Sequence, residues 1–103
     1  MSRVFKAAFM FVAPNARAAE HQAWVRTAQV EVKMIAVADY ESAIAELDSL
    51  IAEGIQAIEL CAGFGHRGVA RMVEAAADRL PVGVVRFDKH PCLGHVSGDT
   101  LFQ

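Results

Sequence analysis

No run of apolar residues in this chain approaches the ~20 that a helix needs to span a membrane, so a bilayer is not expected as its setting. No run of Lys and Arg occurs either. The basic residues are scattered without aromatic interleaving, which argues against nucleic acid as a partner. Charged residues make up only 21% and the net charge is −2. Cysteine is limited to Cys61 and Cys92, and neither C-x-x-C nor H-E-x-x-H is present. That leaves no disulfide framework and no standard zinc signature. Internal repeats, linkers and low-complexity stretches are also missing. At 103 residues, one domain over 1–103 is the expectation.

What the chain has in quantity is apolar residues, 54% of the total. A small domain has a high ratio of surface to volume, so part of this excess is expected in a subunit interface. A homo-oligomer, dimer or larger, is the expected assembly. At the N-terminus, Arg3 and Lys6 followed by Ala7-Ala-Phe-Met-Phe-Val-Ala13 and Ala16-Arg-Ala18 have the outline of a weak signal peptide. Lys6 and Pro14 leave that apolar segment minimal, and it reads better as a strand. A reducing, cytoplasmic setting with two free thiols is then expected.

Periodicity supplies the fold. Val4–Ala13 is almost continuously apolar, as a strand covered on both faces should be. Asn15 suits a helix N-cap, and Ala18, His21, Trp24, Val25 and Ala28 recur at helical spacing, which predicts a first helix. Val30–Ala38 alternates Glu31 and Lys33 with apolar residues and reads as an edge strand. Asp39 caps a second helix carrying Tyr40, Ala43, Ile44, Leu47, Leu50 and Ile51, with Gly54 after its end. Ile55–Cys61 is a third strand. A third helix starts near Gly65 or His66 and stops at Pro81. Val82–Phe87 is a fourth strand, and Asp88–Gln103 reads as an irregular tail. Strands alternating with helices predict a three-layer α/β fold with a four-stranded parallel sheet in the flavodoxin-like order 2-1-3-4.

In such sheets ligands bind at the carboxyl ends of the strands, where the strand order reverses. That point falls beside Asn15 and the turn after the third strand. There Gly63-Phe-Gly-His-Arg-Gly68 fits G-x-G-x-x-G between a strand and a helix, with Asp88 following 20 residues later. A tight turn plus close helix packing explains the glycines equally well, and a dinucleotide is not favoured. Gly63, Phe64 and Gly65, with Asn15, Arg86, Asp88 and His90, are the expected contacts to a small anionic or carbonyl-bearing ligand. Cys61 faces a helix N-terminus, where N–H groups stabilise a thiolate, and His66 is placed to act as its acid/base. The bland alternative is a small buried cysteine. Glu59 and Arg86 are charges inside expected buried strands. They read as a cross-strand pair, or as a base and an anion-facing cation. No cofactor is predicted, and a zinc or iron site on His21, His66, His90 and His95 is an alternative. So is a non-catalytic oligomeric or regulatory module.

Glu59-Leu-Cys-Ala-Gly-Phe-Gly-His66, Val85-Arg-Phe-Asp88, Ser97-Gly-Asp99 with Leu101-Phe102, and the opening Lys6-Ala-Ala-Phe-Met-Phe-Val-Ala-Pro14 form a distinctive set. Together they resemble a family of short bacterial and fungal proteins classed as a domain of unknown function. The resemblance spans essentially the whole chain and implies a stand-alone domain. It implies no activity and no catalytic residue.

Overall fold

Phe5–Val12, the apolar run of the N-terminus, forms strand β1 at the centre of a five-stranded sheet. The computed structural model describes residues 3–85, 87 and 89–103. Strand β2 is Gln22–Arg26, β3 is Val30–Val37, β4 is Ala57–Leu60 and β5 is Val82–Val84. The sheet order is β2-β3-β1-β4-β5. β3, β1, β4 and β5 pair in parallel, and β2 pairs antiparallel with β3. Helices α1 (Tyr40–Ala45) and α2 (Leu47–Ala52) link β3 to β4, and α3 (His66–Ala76) links β4 to β5. Asp39 caps α1 by accepting from Ser42 N, and this bond chiefly holds its carboxyl below the usual range.

The expected first helix is not there, and the sheet is neither four-stranded nor wholly parallel. Residues 22–37 form a hairpin instead. Its turn is closed by Thr27: the amide and the hydroxyl both donate to Val30 O, and Val30 N donates back to Thr27 Oγ1. Arg26 and Glu31 are paired by register and by a 2.6 Å salt bridge. Trp24 lies beside Lys33 with the Arg26 guanidinium 4.3 Å from its ring centroid. Aromatic and β-branched residues at 24, 25 and 27 favour this pleated arrangement. Val30–Val37 is therefore an inner strand, and Glu31 and Lys33 have partners rather than water. Lys33 is buried and reaches Glu53 at 2.7 Å.

The hairpin changes the layering. The crossovers β3-to-β4 and β4-to-β5 step across the sheet in the same direction. Right-handed connections then put their helices on the same face, and α1 indeed packs against α3. The route that would have carried a helix to the other face is taken by β2. The fold thus has two layers, not three, among the described residues. Ala8, Met10, Ile35, Val37, Ile58 and Leu60 point to the helices and form the core with Tyr40, Leu47, Leu50, Phe64 and Met72. By register, Phe5, Phe9 and Phe11 of β1, Val32 and Met34 of β3 and Val25 of β2 share the opposite face. Val25 is 65% exposed and Met34 41%.

The C-terminal segment is ordered rather than irregular. His90 Nδ1 accepts from Cys92 N at the start of a 3-10 turn over Pro91–Leu93. Ser97 caps a short helix α4, Gly98–Leu101.

Candidate functional site

The turn after β4 does what its glycines require, but for packing. Gly65 admits the Asp99 carboxylate and the Ser97 hydroxyl, and Gly68 admits the Tyr40 ring; a Cβ at either would collide with them. Phe64, expected at a ligand, is fully buried and stacks on Tyr40 with ring centroids 5.4 Å apart. Gly98 presses on the Gly63 carbonyl, so the C-terminal segment occupies the crevice at the carboxyl edge.

The amides of the turn are committed as well. Gly63 N donates to Cys61 Sγ at 3.2 Å and Phe64 N to Cys61 O at 3.1 Å. Gly65 N donates to the Tyr40 hydroxyl at 2.9 Å. Arg67 N donates to Asp99 Oδ2 at 2.9 Å and Gly68 N to Asp99 Oδ1 at 3.0 Å. Tyr40 completes the network by donating to Asp99 Oδ1 at 3.0 Å. The anion at the N-terminus of α3 is thus the chain's own Asp99, in the place expected for a ligand. This suits a helix whose own first turn carries no acidic residue.

Electrostatics follow from these contacts. Burial of Asp99 pushes its carboxyl up, but the amides of Arg67 and Gly68, the Tyr40 hydroxyl and the Arg67 charge outweigh that and hold it below its ordinary value. Tyr40 is pushed up to about 12, first by burial, against the Gly65 amide and with the Asp99 charge. Its hydroxyl is therefore a fixed donor to Asp99 and not a base at neutral pH.

Among the other expected site residues, Cys61 is half-buried and Cys92 exposed, both as free thiols. His66 opens α3, is exposed, and lines a depression of about 370 Å³ with Arg67, Ser97, Asp99, Thr100 and Gln103. Cys61 is not in that lining. Glu59 is exposed, not buried, because no helix among the described residues covers its side of β4. Arg86 and Asp88 lie outside the described residues, and so does the expected Glu59–Arg86 pair. Asn15 takes a left-handed backbone (φ 66°) at the end of β1. His90 has a structural role in its turn and packs edge-on against Phe87, with centroids 5.4 Å apart. Among the described residues, no three His, Cys, Asp or Glu side chains gather as a metal site would need, the four histidines included. Also among them, no helix is long and apolar enough to cross a membrane.

Tyr40 and Asp99 escaped the sequence reading as partners of the glycine turn. One signal was available: a helix with no acid in its first turn needs one from elsewhere.

Fold and site together define a two-layer α/β domain with a mostly parallel sheet, one bare sheet face and an internally filled carboxyl edge. The model of a family of unknown function (DUF6506) matches residues 5–100, and the chain belongs to that family. No curated protein and no solved structure matches it.

Proposed function

We propose that this chain is the subunit of a homo-oligomer that packs its bare sheet face against a second copy, and that assembly is its primary role. The observation that carries this is β1. Its sequence is apolar on both sides, as in a strand covered on both faces, yet among the described residues helices cover one side only. The uncovered side presents Phe5, Phe9, Phe11, Val25, Val32 and Met34. A contiguous apolar surface of this kind marks an interaction site. At ~3.3 Å per residue and ~4.8 Å between strands, five strands with eight-residue members at the centre give a face of roughly 25 Å by 20 Å. Its side chains offer an area on the order of the ~800 Å² that each partner brings to a standard interface. Among the described residues Glu59 is the one charged side chain on the strand positions of this face, which suits another apolar surface. A second copy supplies one by two-fold symmetry.

Light scattering at micromolar concentration is expected to give at least twice the 11.1 kDa chain mass. Val25→Glu combined with Met34→Glu is expected to yield a folded monomer, because both side chains are already exposed in the single chain. A wild-type mass of one chain, or an unchanged assembly in the double variant, overturns the reading.

A second reading has a small anionic or carbonyl-bearing ligand at the glycine turn, with Cys61 as nucleophile and His66 as acid/base. The depression lined by His66 and Arg67 favours the ligand but not the nucleophile, since Cys61 lies outside its lining. It requires the C-terminal segment to yield the amides that Asp99 now holds. Under this reading iodoacetamide alkylates Cys61 faster than the exposed Cys92 at neutral pH. Equal or slower labelling of Cys61 removes it.

A further inference from the structure

At the carboxyl end of β1 and β3, on the bare side of the sheet, the loop after β1 folds into a wall. Its first turn is closed by Ala16 N donating to Ala13 O, with Pro14 and left-handed Asn15 at the corner. That is the geometry that turns with a positive φ at their third residue require, and Asn tolerates it. The loop then delivers His21 to the start of β2. Three hydrogen bonds fix this residue: its N donates to Arg17 O at 2.8 Å, its O accepts from Ala36 N at 2.9 Å, and its Nδ1 accepts from Arg17 N at 2.9 Å.

The last bond determines the chemistry. A ring nitrogen that accepts an amide proton is unprotonated, so the neutral ring carries its proton on Nε2. Nε2–H is a donor with no protein partner among the described residues. His21 also lines two adjoining depressions of about 270 and 330 Å³, which share Phe11. Ala13, Pro14, Asn15, Ala16 and Ala36 complete the first; Glu20, Gln22, Ala23 and Met34 complete the second, where the Glu20 carboxylate is ion-paired with Arg17. The first depression has mainly apolar walls and His21 as a polar group of fixed direction, the usual make-up of a small-molecule site, while the second mixes apolar and polar walls; their volumes lie just below and at the lower end of such sites.

We propose that the cleft between Phe11 and His21 binds a small molecule with a flat apolar body and a carboxylate or carbonyl oxygen. The body lies against Phe11, Ala36 and Met34. The oxygen accepts from His21 Nε2–H, and the Asn15 amide supplies a second polar contact. The cleft is complete in one chain, so the inference goes beyond the assembly reading and does not depend on it. A second copy on the bare face would roof the cleft and exclude water from it. The fixed tautomer also sets this histidine apart from a metal ligand, because one nitrogen is engaged and the other protonated.

The test uses the full chain and three probes: benzoate, toluene and inorganic phosphate. Nitrogen and proton resonances of the His21 ring are followed during titration, with the subunit mass measured in the same buffer. Benzoate is expected to give a saturable shift at His21. Toluene lacks the acceptor and phosphate lacks the apolar body, and both are expected to bind at least tenfold more weakly. His21→Ala should weaken benzoate at least tenfold. Asn15→Gly keeps the left-handed turn and should weaken it about threefold, which serves if the His21 variant fails to fold. No saturable benzoate shift in the wild type, or equal affinity for benzoate and phosphate, overturns the proposal. So does unchanged benzoate binding in a folded His21→Ala protein. A monomeric wild type that still binds benzoate leaves this inference standing while the assembly reading falls.

Discussion

Asp99→Ala is expected to destabilise the protein by roughly 2–4 kcal/mol and to release the C-terminal residues from the carboxyl edge. Three donors converge on this one carboxylate: the amides of Arg67 and Gly68 and the Tyr40 hydroxyl. A hydrogen bond to a charged group contributes about 1.5–3 kcal/mol, and losing a helix cap alone costs about 1 kcal/mol. The contributions are not additive, and part of the carboxylate meets solvent, so the sum is discounted. Against a total stability of about 5–15 kcal/mol for a small domain, the loss is large. Urea denaturation gives the number, and hydrogen exchange at Gly65, Arg67 and Gly68 gives the location. Asp99→Asn keeps an acceptor and should lose about half as much. The pH dependence has a definite sign. The folded carboxyl is held below its ordinary value, so its contribution is complete above the unfolded value of about 3.9 and disappears as pH falls through the folded one. The wild type should lose more stability than Asp99→Asn on acidification across that window. Equal urea midpoints for wild type and Asp99→Ala would mean that the tail docks by apolar contact alone.

The parts of the fold that were legible are those where one period dominates. Ala43, Leu47 and Leu50 recur at helical spacing and are buried as expected, although the expected single helix is broken at Glu46 into α1 and α2, and the apolar strands 5–12 and 30–37 lie within the expected spans. Residues 18–28 were not legible by spacing, since Ala18, His21, Trp24, Val25 and Ala28 fit a helix. A hairpin fits them better once side-chain chemistry is weighed. Trp24, Val25 and Thr27 favour a strand, Thr27 can close a two-residue turn, and Arg26 and Glu31 then face each other. One misread helix therefore altered the number of layers. It also altered the setting of Glu59, which is buried only if the missing layer exists. The glycine turn between strand and helix was legible, but the approach of the chain's own Asp99 to it was not. Gly63, Gly65 and Gly68 are as compatible with close approach of the chain's own Ser97, Gly98, Asp99 and Tyr40 as with a phosphate. Only the three-dimensional path of residues 90–103 decides between them.

Tyr40 yields the other large effect, on the alkaline side, and it can be read without ambiguity because the chain has one tyrosine. The ring is fully buried between Phe64 and Phe102, with its hydroxyl donating to Asp99 and accepting from Gly65 N. Ionising that hydroxyl would place a second negative charge against Asp99 in a poorly solvated site and remove the proton that joins them. Tyrosinate absorbance should therefore rise at about 12, well above the ordinary value of about 10, or abruptly with unfolding if that comes first. Between these two values the unfolded chain has lost the proton while the folded chain keeps it. Stability then falls with rising pH, by roughly 1.4 kcal/mol per pH unit for the one proton. Tyr40→Phe removes this slope. At neutral pH the same variant leaves the buried Gly65 amide without its acceptor and Asp99 with one donor fewer. It should lose about 1–3 kcal/mol while the stacking on Phe64 is kept. A midpoint near 10 with the fold intact would show that solvent reaches the hydroxyl and that the carboxyl edge stands open. The Asp99-filled turn described above would then be one of two interchanging arrangements, and an anionic ligand could compete for the amides of α3.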